Sequence, residues 1–208
     1  MPDVQNSIGH DQQDDLRHRI IARAEELFLA NGYSTTTAKH LADSLGISKK
    51  TLYRVFGSKE DILYAVVLRI TQSVTARSEV LFANRSRPPR ERIWDLMSLL
   101  TSQYARLRVP GVLDDIRRNA PVVWAMFQEW RRNGVDRFEE LLREGIACHD
   151  VRNDVPLTDM VSVYHAMVNA CMEVIITSDG AIPPERICAT YMEVFFHGIL
   201  PEPRLRTP

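Results

Sequence analysis

Cysteine, glycine and lysine are scarce in this chain of 208 residues, at three, nine and four. The cysteines, Cys148, Cys171 and Cys188, are odd in number and far apart, which implies neither a disulfide framework nor a CxxC metal site. No P-loop, GxSxG, HExxH or paired-carboxylate pattern is present, so the common hydrolytic and nucleotide-driven chemistries have no motif to rest on. The first residues, MPDVQNSIGHDQQDD, are polar and acidic where a secretory signal has a basic start and an apolar run. No stretch approaches the roughly 20 apolar residues of a membrane span. A soluble protein of a reducing, cytoplasmic compartment is the expectation, with no membrane partner. A net charge of −1 gives no obvious attraction to nucleic acid, but a whole-chain sum conceals local patches.

What the chain does have is helical periodicity. With 45% hydrophobic and 25% charged residues it has enough apolar surface to fold around a core. Residues 1–14 lack apolar periodicity and read as a flexible arm. Ile20, Ile21, Ala24, Leu27 and Phe28 then mark one face of a helix ended by Asn31-Gly32. Short helices follow near 37–45 and 49–56, and Ser58 with Asp61 has the spacing of an N-cap for a longer one. Beyond residue 84, Pro88-Pro89, Pro110-Gly111, Pro121, Pro156, Gly180 and Pro183-Pro184 punctuate further helices, the last stopping at Pro201. About nine helices and almost no β alternation predict an all-α fold.

The informative stretch is TTTAKHLADSLGISKKTLYRVFGSKEDIL, residues 35–63. Two short helices flank Gly46-Ile47-Ser48, the layout of a helix-turn-helix. Ala42 is small where the helices cross, Gly46 suits the positive φ of the turn, and Ser48 is positioned as an N-cap. Leu41, Leu45, Ile47, Leu52 and Val55 supply the contacts between them. At 100° per residue, Leu52, Val55 and Phe56 share one side of the second helix, while Lys50 and Arg54 point away, flanked by Lys49, Thr51 and Tyr53. A helix apolar behind and cationic in front is what entry into a major groove requires. Tyr53 also has a plainer reading, with its ring against the core and its hydroxyl in water. Between residues 34 and 60, five basic side chains stand against two acidic ones, a local charge of +3, and every lysine of the chain lies there.

This pattern, Leu27-Phe28, Gly32-Tyr33, Thr36-Thr37, Leu41-Ala42, Gly46-Ile47-Ser48-Lys49, Thr51-Leu52-Tyr53 and Phe56-Gly57-Ser58-Lys59-Glu60, resembles the DNA-binding domain of the tetracycline-repressor (TetR) family of bacterial transcription regulators. The resemblance covers about residues 16–63. It implies a three-helix helix-turn-helix domain at 15–63 and a helical ligand-binding and dimerisation domain at 64–208. It further implies phosphate contacts by Thr36, Thr37, Tyr53 and Lys59, with Lys49, Lys50, Thr51 and Arg54 facing the groove. The family often has a small residue at the position of Lys50. A long cation there can read guanine or grip phosphate, and the sequence leaves both open.

By the same resemblance the last two helices pair across a two-fold axis. The residues allow it: Met160, Val161, Tyr164, Met167, Cys171, Val174 and Ile175 form one stripe, widened by Val163, Ala166 and Ala170. Residues 184–200 are apolar nearly all round at Tyr191, Met192, Val194, Phe195 and Phe196. A partner subunit is one cover for these helices, with Met160, Cys171, Ile175, Tyr191, Val194, Phe195 and Phe196 as candidate interface residues; burial within one subunit is the other. Trp94, Met97, Tyr104, Trp124, Phe127, Trp130, Tyr164, His165, Met167 and Met172 are candidates for an effector cavity, or for plain core. Neither His165 with Glu173 nor Cys148 with His149 has the partners of a metal site, and no metal or cofactor is expected. The function predicted is that of a sequence-specific regulator, not an enzyme, binding a palindromic double-stranded operator as a homodimer and responding to a small apolar or aromatic effector. The alternatives are a helical enzyme or an interaction protein whose basic patch is incidental.

Overall fold

The computed structural model describes residues 4–104, 106, 111–177 and 182–201. Among these the chain is helical throughout, in nine helices: α1 (Val4–Asn31), α2 (Ala38–Ser44), α3 (Lys49–Val55), α4 (Lys59–Ala83), α5 (Pro89–Tyr104), α6 (Val112–Asn119), α7 (Pro121–Ala147), α8 (Leu157–Thr177) and α9 (Pro184–Ile199). The all-α expectation therefore holds. The stretch read as an arm, 1–14, is helical from Val4 onward as part of α1.

The helix starts follow from short polar side chains that satisfy otherwise free amides. Thr37 Oγ1 accepts from His40 N at 3.1 Å, Ser48 Oγ from Thr51 N at 3.0 Å and Ser58 Oγ from Asp61 N at 3.0 Å, capping α2, α3 and α4. Proline occupies the first turn of α7 and α9, where its missing N–H costs nothing. Between α2 and α3, Gly46 takes φ +67°, and Ile47 N reaches Ala42 O at 3.1 Å to close the turn.

Three apolar clusters hold the molecule. The first joins α1 to α4 around Ile20, Phe28, Leu41, Leu52 and Ile62, and takes in Ile116, Ala120 and Val123 from α6 and α7. The second lies among α5, α7, α8 and α9 around Ile93, Phe138, Tyr164 and Phe195. The third joins α6, α8 and α9 at Leu113, Met172, Ile187 and the two cysteines Cys171 and Cys188. α4 runs unbroken through the predicted domain boundary at 63/64, so the two parts share a helix as well as a core. Arg92 is fully buried, pairs with Glu144 of α7 and donates to Phe82 O at 3.1 Å, tying α4, α5 and α7 together.

Two expectations need correction. Met160, Cys171, Ile175 and Phe195, assigned to a dimer interface, are all buried within the protomer, because α8 and α9 turn their wide apolar sides toward α5, α6 and α7. Tyr191 and Phe196 are half-buried, and of the seven only Val194 is fully outward, at 70% exposure. All three cysteines are free; the packing of α8 on α9 sets Cys171 and Cys188 Sγ 2.7 Å apart, and this contact with burial pushes the pKa of the Cys188 thiol upward. Second, α8 is long and apolar enough by length and composition to cross a membrane, contrary to the sequence reading. In the fold it packs against α6, α7 and α9 and leaves Asn169 and Glu173 exposed.

Candidate nucleic-acid interface and body cavity

α3 presents the surface that its sequence encodes. Leu52 is fully buried and Phe56, just past the helix, is 3% exposed, anchoring the back of α3 in the first cluster. Lys49, Lys50, Tyr53 and Arg54 are exposed on the other side, with Thr51 half-buried between them. Lys49 Nζ lies 5.6 Å from the centre of the Tyr53 ring. Thr51 Oγ1 is 2.9 Å from the Ser48 hydroxyl, so it belongs to the cap as well as to the outer surface. The cationic side chains Lys39, Lys49, Lys50 and Arg54 are all exposed on α2 and α3, with Asp43 the exposed acid among them.

The four residues expected at phosphates separate into two kinds. Thr37 and Tyr53 are exposed, and Thr37 also caps α2. Thr36 is 1% exposed, and its hydroxyl donates to Gly32 O at 2.8 Å, which removes that side chain from any outer surface. Lys59 turns inward: its ammonium donates to Tyr33 O at 2.9 Å and Thr36 O at 3.3 Å and sits 4.1 Å from the Tyr33 ring centre. Burial lowers its pKa, opposed by the charge of Asp115. Both residues fasten the loop between α1 and α2, a role that the spacing alone does not distinguish from phosphate contact.

That loop is also held from the body. Asp115 of α6 accepts from Ser34 N at 2.8 Å, from the Ser34 hydroxyl and from Asn119 Nδ2 at 2.9 Å. Partial burial raises the Asp115 pKa, but the hydrogen bonds from Ser34, Asn119 and the Tyr33 amide outweigh it and hold the carboxyl below its ordinary range. Other residues of the same short helix, Leu113 and Ile116, line a cavity in the body. α6 thus touches the loop leading into α2 with one side and the cavity with another.

The cavity has a volume of about 440 Å³ and lies among α4 to α9. Of the predicted lining, Trp124, Phe127, Trp130 and Tyr164 are there. Trp130 Nε1 donates to Thr75 Oγ1 at 3.0 Å, and Tyr164, stacked on Phe138 with centroids 3.9 Å apart, has its phenol pushed up to about 12 by burial. Trp94 is elsewhere, 43% exposed against Phe196 between α5 and α9. Met97, Met167 and Met172 are core, and His165 is exposed on α8. The Tyr104 side chain falls outside the described residues. Sequence reasoning missed the α4 wall, Val67, Ile70, Thr71, Val74 and Ser78, because an all-aliphatic and hydroxyl stripe reads as ordinary packing. It also missed Arg106, Arg131 and Arg137, whose charges read as solvated surface. Among the described residues no group of three or more His, Cys, Asp or Glu converges as a metal site would require.

Comparison with known proteins agrees with these observations. Residues 20–66 match the sequence model described as "Bacterial regulatory proteins, tetR family". The HTH-type transcriptional regulator TcmR of Streptomyces glaucescens is 36% identical over 64 residues, 31% of this chain and 28% of that protein, so the likeness spans little more than a quarter of the relative. Through the whole fold, a putative transcriptional regulator from Saccharomonospora viridis, solved in complex with choline, superposes with a TM-score of 0.72. It is 18% identical, with 91% of this chain and all of that chain covered. A TetR/AcrR-family regulator from Thermobifida fusca gives a TM-score of 0.64 at 25% identity over 88% of this chain and 98% of its own. Residues 20–66 thus carry the helix-turn-helix of the bacterial regulatory proteins of the tetR family, and the described remainder of the chain has the all-helical fold of the solved regulators.

Proposed function

We propose that this protein is a cytoplasmic, ligand-responsive transcriptional regulator that binds a palindromic operator as a homodimer, most simply as a repressor. The observation that carries the reading is the exposed face of α3, where Lys49, Lys50 and Arg54 project from a helix anchored by fully buried Leu52. Such a helix enters the major groove, with Lys50 and Arg54 at base edges and Lys49, Thr37 and Tyr53 at the flanking backbone. The domain that reads DNA extends from residue 15 to 63, and 64–208 forms the effector and dimerisation body.

The dimer is built on the outer sides of α8 and α9. Val163, Ala166 and Ala170 on α8, with Ala189, Val194 and Gly198 on α9, form an exposed face of small and β-branched residues that allows close approach of two helix pairs. Two recognition helices about 34–36 Å apart then meet successive major grooves on one side of the duplex. The cavity and α6 supply the switch: an effector that displaces Leu113 and Ile116 moves Asp115, and with it the Ser34 loop that leads into α2. Such a ligand acts only if it binds the two arrangements with different affinity.

Footprinting on DNA upstream of the protein's own gene tests the reading. The expected result is a protected palindrome whose affinity falls steeply as salt rises. Equal binding to upstream and random duplex at low salt overturns it.

A further inference from the structure

The cavity is apolar over most of its wall, but its charges do not cancel. Arg106 pairs with Glu25, which also pairs with Arg69, and Arg137 is held between Glu79 and Glu140. Arg131 differs. Its guanidinium meets only neutral acceptors, Gln128 Oε1 at 2.6 Å, Val168 O at 3.3 Å and Asn169 Oδ1 at 3.3 Å, and no carboxylate among the described residues pairs with it. Its Nε, like that of Arg137, is buried with no hydrogen-bond partner. Of the charged residues that line the cavity, Glu79, Arg106, Arg131 and Arg137, Arg131 is the one without an oppositely charged partner among the described residues. A partly desolvated cation with donors to spare and no counter-ion is costly, and an anion placed beside it offsets that cost.

We infer that the cavity takes an amphipathic monocarboxylic acid, its apolar body among Ile70, Val74, Leu100, Trp124 and Phe127 and its carboxylate at Arg131. The inference rests on the reading of this cavity as the effector site. One lining arginine without a carboxylate partner matches a monoanion, and a guanidinium fork suits the planar carboxylate. The volume of about 440 Å³ falls within the range of small-molecule sites.

Calorimetry with the full-length protein separates the possibilities, using decanoate against its neutral isostere decanamide, and 4-phenylbutanoate against 4-phenylbutanamide. The acid of each pair is expected to bind about tenfold or more tightly than its amide, the size of one desolvated charge-assisted pairing. Arg131→Gln brings the acid-to-amide ratio to about one, Arg131→Lys restores part of it, and Arg132→Gln on the exposed neighbouring position leaves it intact. Circular dichroism checks that each variant is folded. Equal binding of acid and amide to the wild type, retention of the preference in Arg131→Gln, or no binding of any of the four compounds overturns the inference. The effector reading is decided separately, by operator release in a gel shift: an acid that binds at Arg131 without weakening DNA binding leaves the site standing and removes its regulatory role.

Discussion

Thr36 and Lys50 lie in the same small domain and do opposite work. Thr36 is sealed beneath the loop that leads into α2 and donates to Gly32 O, whereas Lys50 is exposed on α3. Thr36→Val keeps the shape and removes the hydrogen bond, so thermal or urea denaturation is expected to show a loss of about 1 kcal/mol, with operator affinity unchanged at temperatures where the variant is folded. Lys50→Ala is expected to leave the melting temperature alone and to weaken the preferred operator by about 1–3 kcal/mol in a gel shift. If the Lys50 variant loses affinity equally for every duplex, the side chain grips phosphate and does not read a base. Lys59 falls with Thr36 in this division, since its ammonium is engaged by Tyr33 O and Thr36 O.

Among the elements, α6 and the end of α7 carry the strongest constraints. The Asp115 carboxylate, held below its ordinary pKa, favours the folded state when ionised. A depressed folded-state value means that this contribution is present above the unfolded pKa near 3.9 and is lost as pH falls through the lower folded value. Asp115→Asn should therefore lower stability by about 1 kcal/mol at neutral pH and flatten the acid limb of the stability curve, measured by denaturant titration between neutral and acid pH. In a gel shift the same variant should also respond less to a bound effector, since the contact between α6 and the Ser34 loop is weakened. In α7, a Cβ on Gly145 would stand 2.6 Å from Val151 Cγ2, and Val151 is 2% exposed with no room to withdraw. Gly145→Ala is expected to cost about 1–3 kcal/mol by denaturation although alanine is the better helix former, because overpacking exceeds the propensity gain.

For the whole molecule, the proposed dimer makes the outer sides of α8 and α9 decide whether one recognition helix or two meet the DNA. Val163 and Val194 are 58% and 70% exposed on these faces. Val194→Asp places a charge where two copies must exclude water, and light scattering is expected to show a monomer at micromolar concentration, with operator binding weakened by more than tenfold because half the contacts go. An unchanged mass, or a wild type that is itself monomeric, removes the dimer from the proposal.

The net charge of −1 is the sum of a stretch at +3 and a remainder at −4, and every lysine falls in the first. Charge, helix periodicity, the turn at Gly46 and the caps at Ser48 and Ser58 are local properties, set by residues within one or two turns of each other, and they follow from the order of residues alone. The side to which Thr36 and Lys59 point, the meeting of Cys171 with Cys188, the burial of Arg92 and the outward face of α8 depend on residues far apart in the chain. These were settled by long-range packing. An apolar helix such as α8 or α9 has more than one face able to pack, and the choice among them is made by the neighbours it meets. The cavity is the clearest case: α4 contributes aliphatic side chains indistinguishable in sequence from core, and they bound an open space because α5 to α8 stand away from them there.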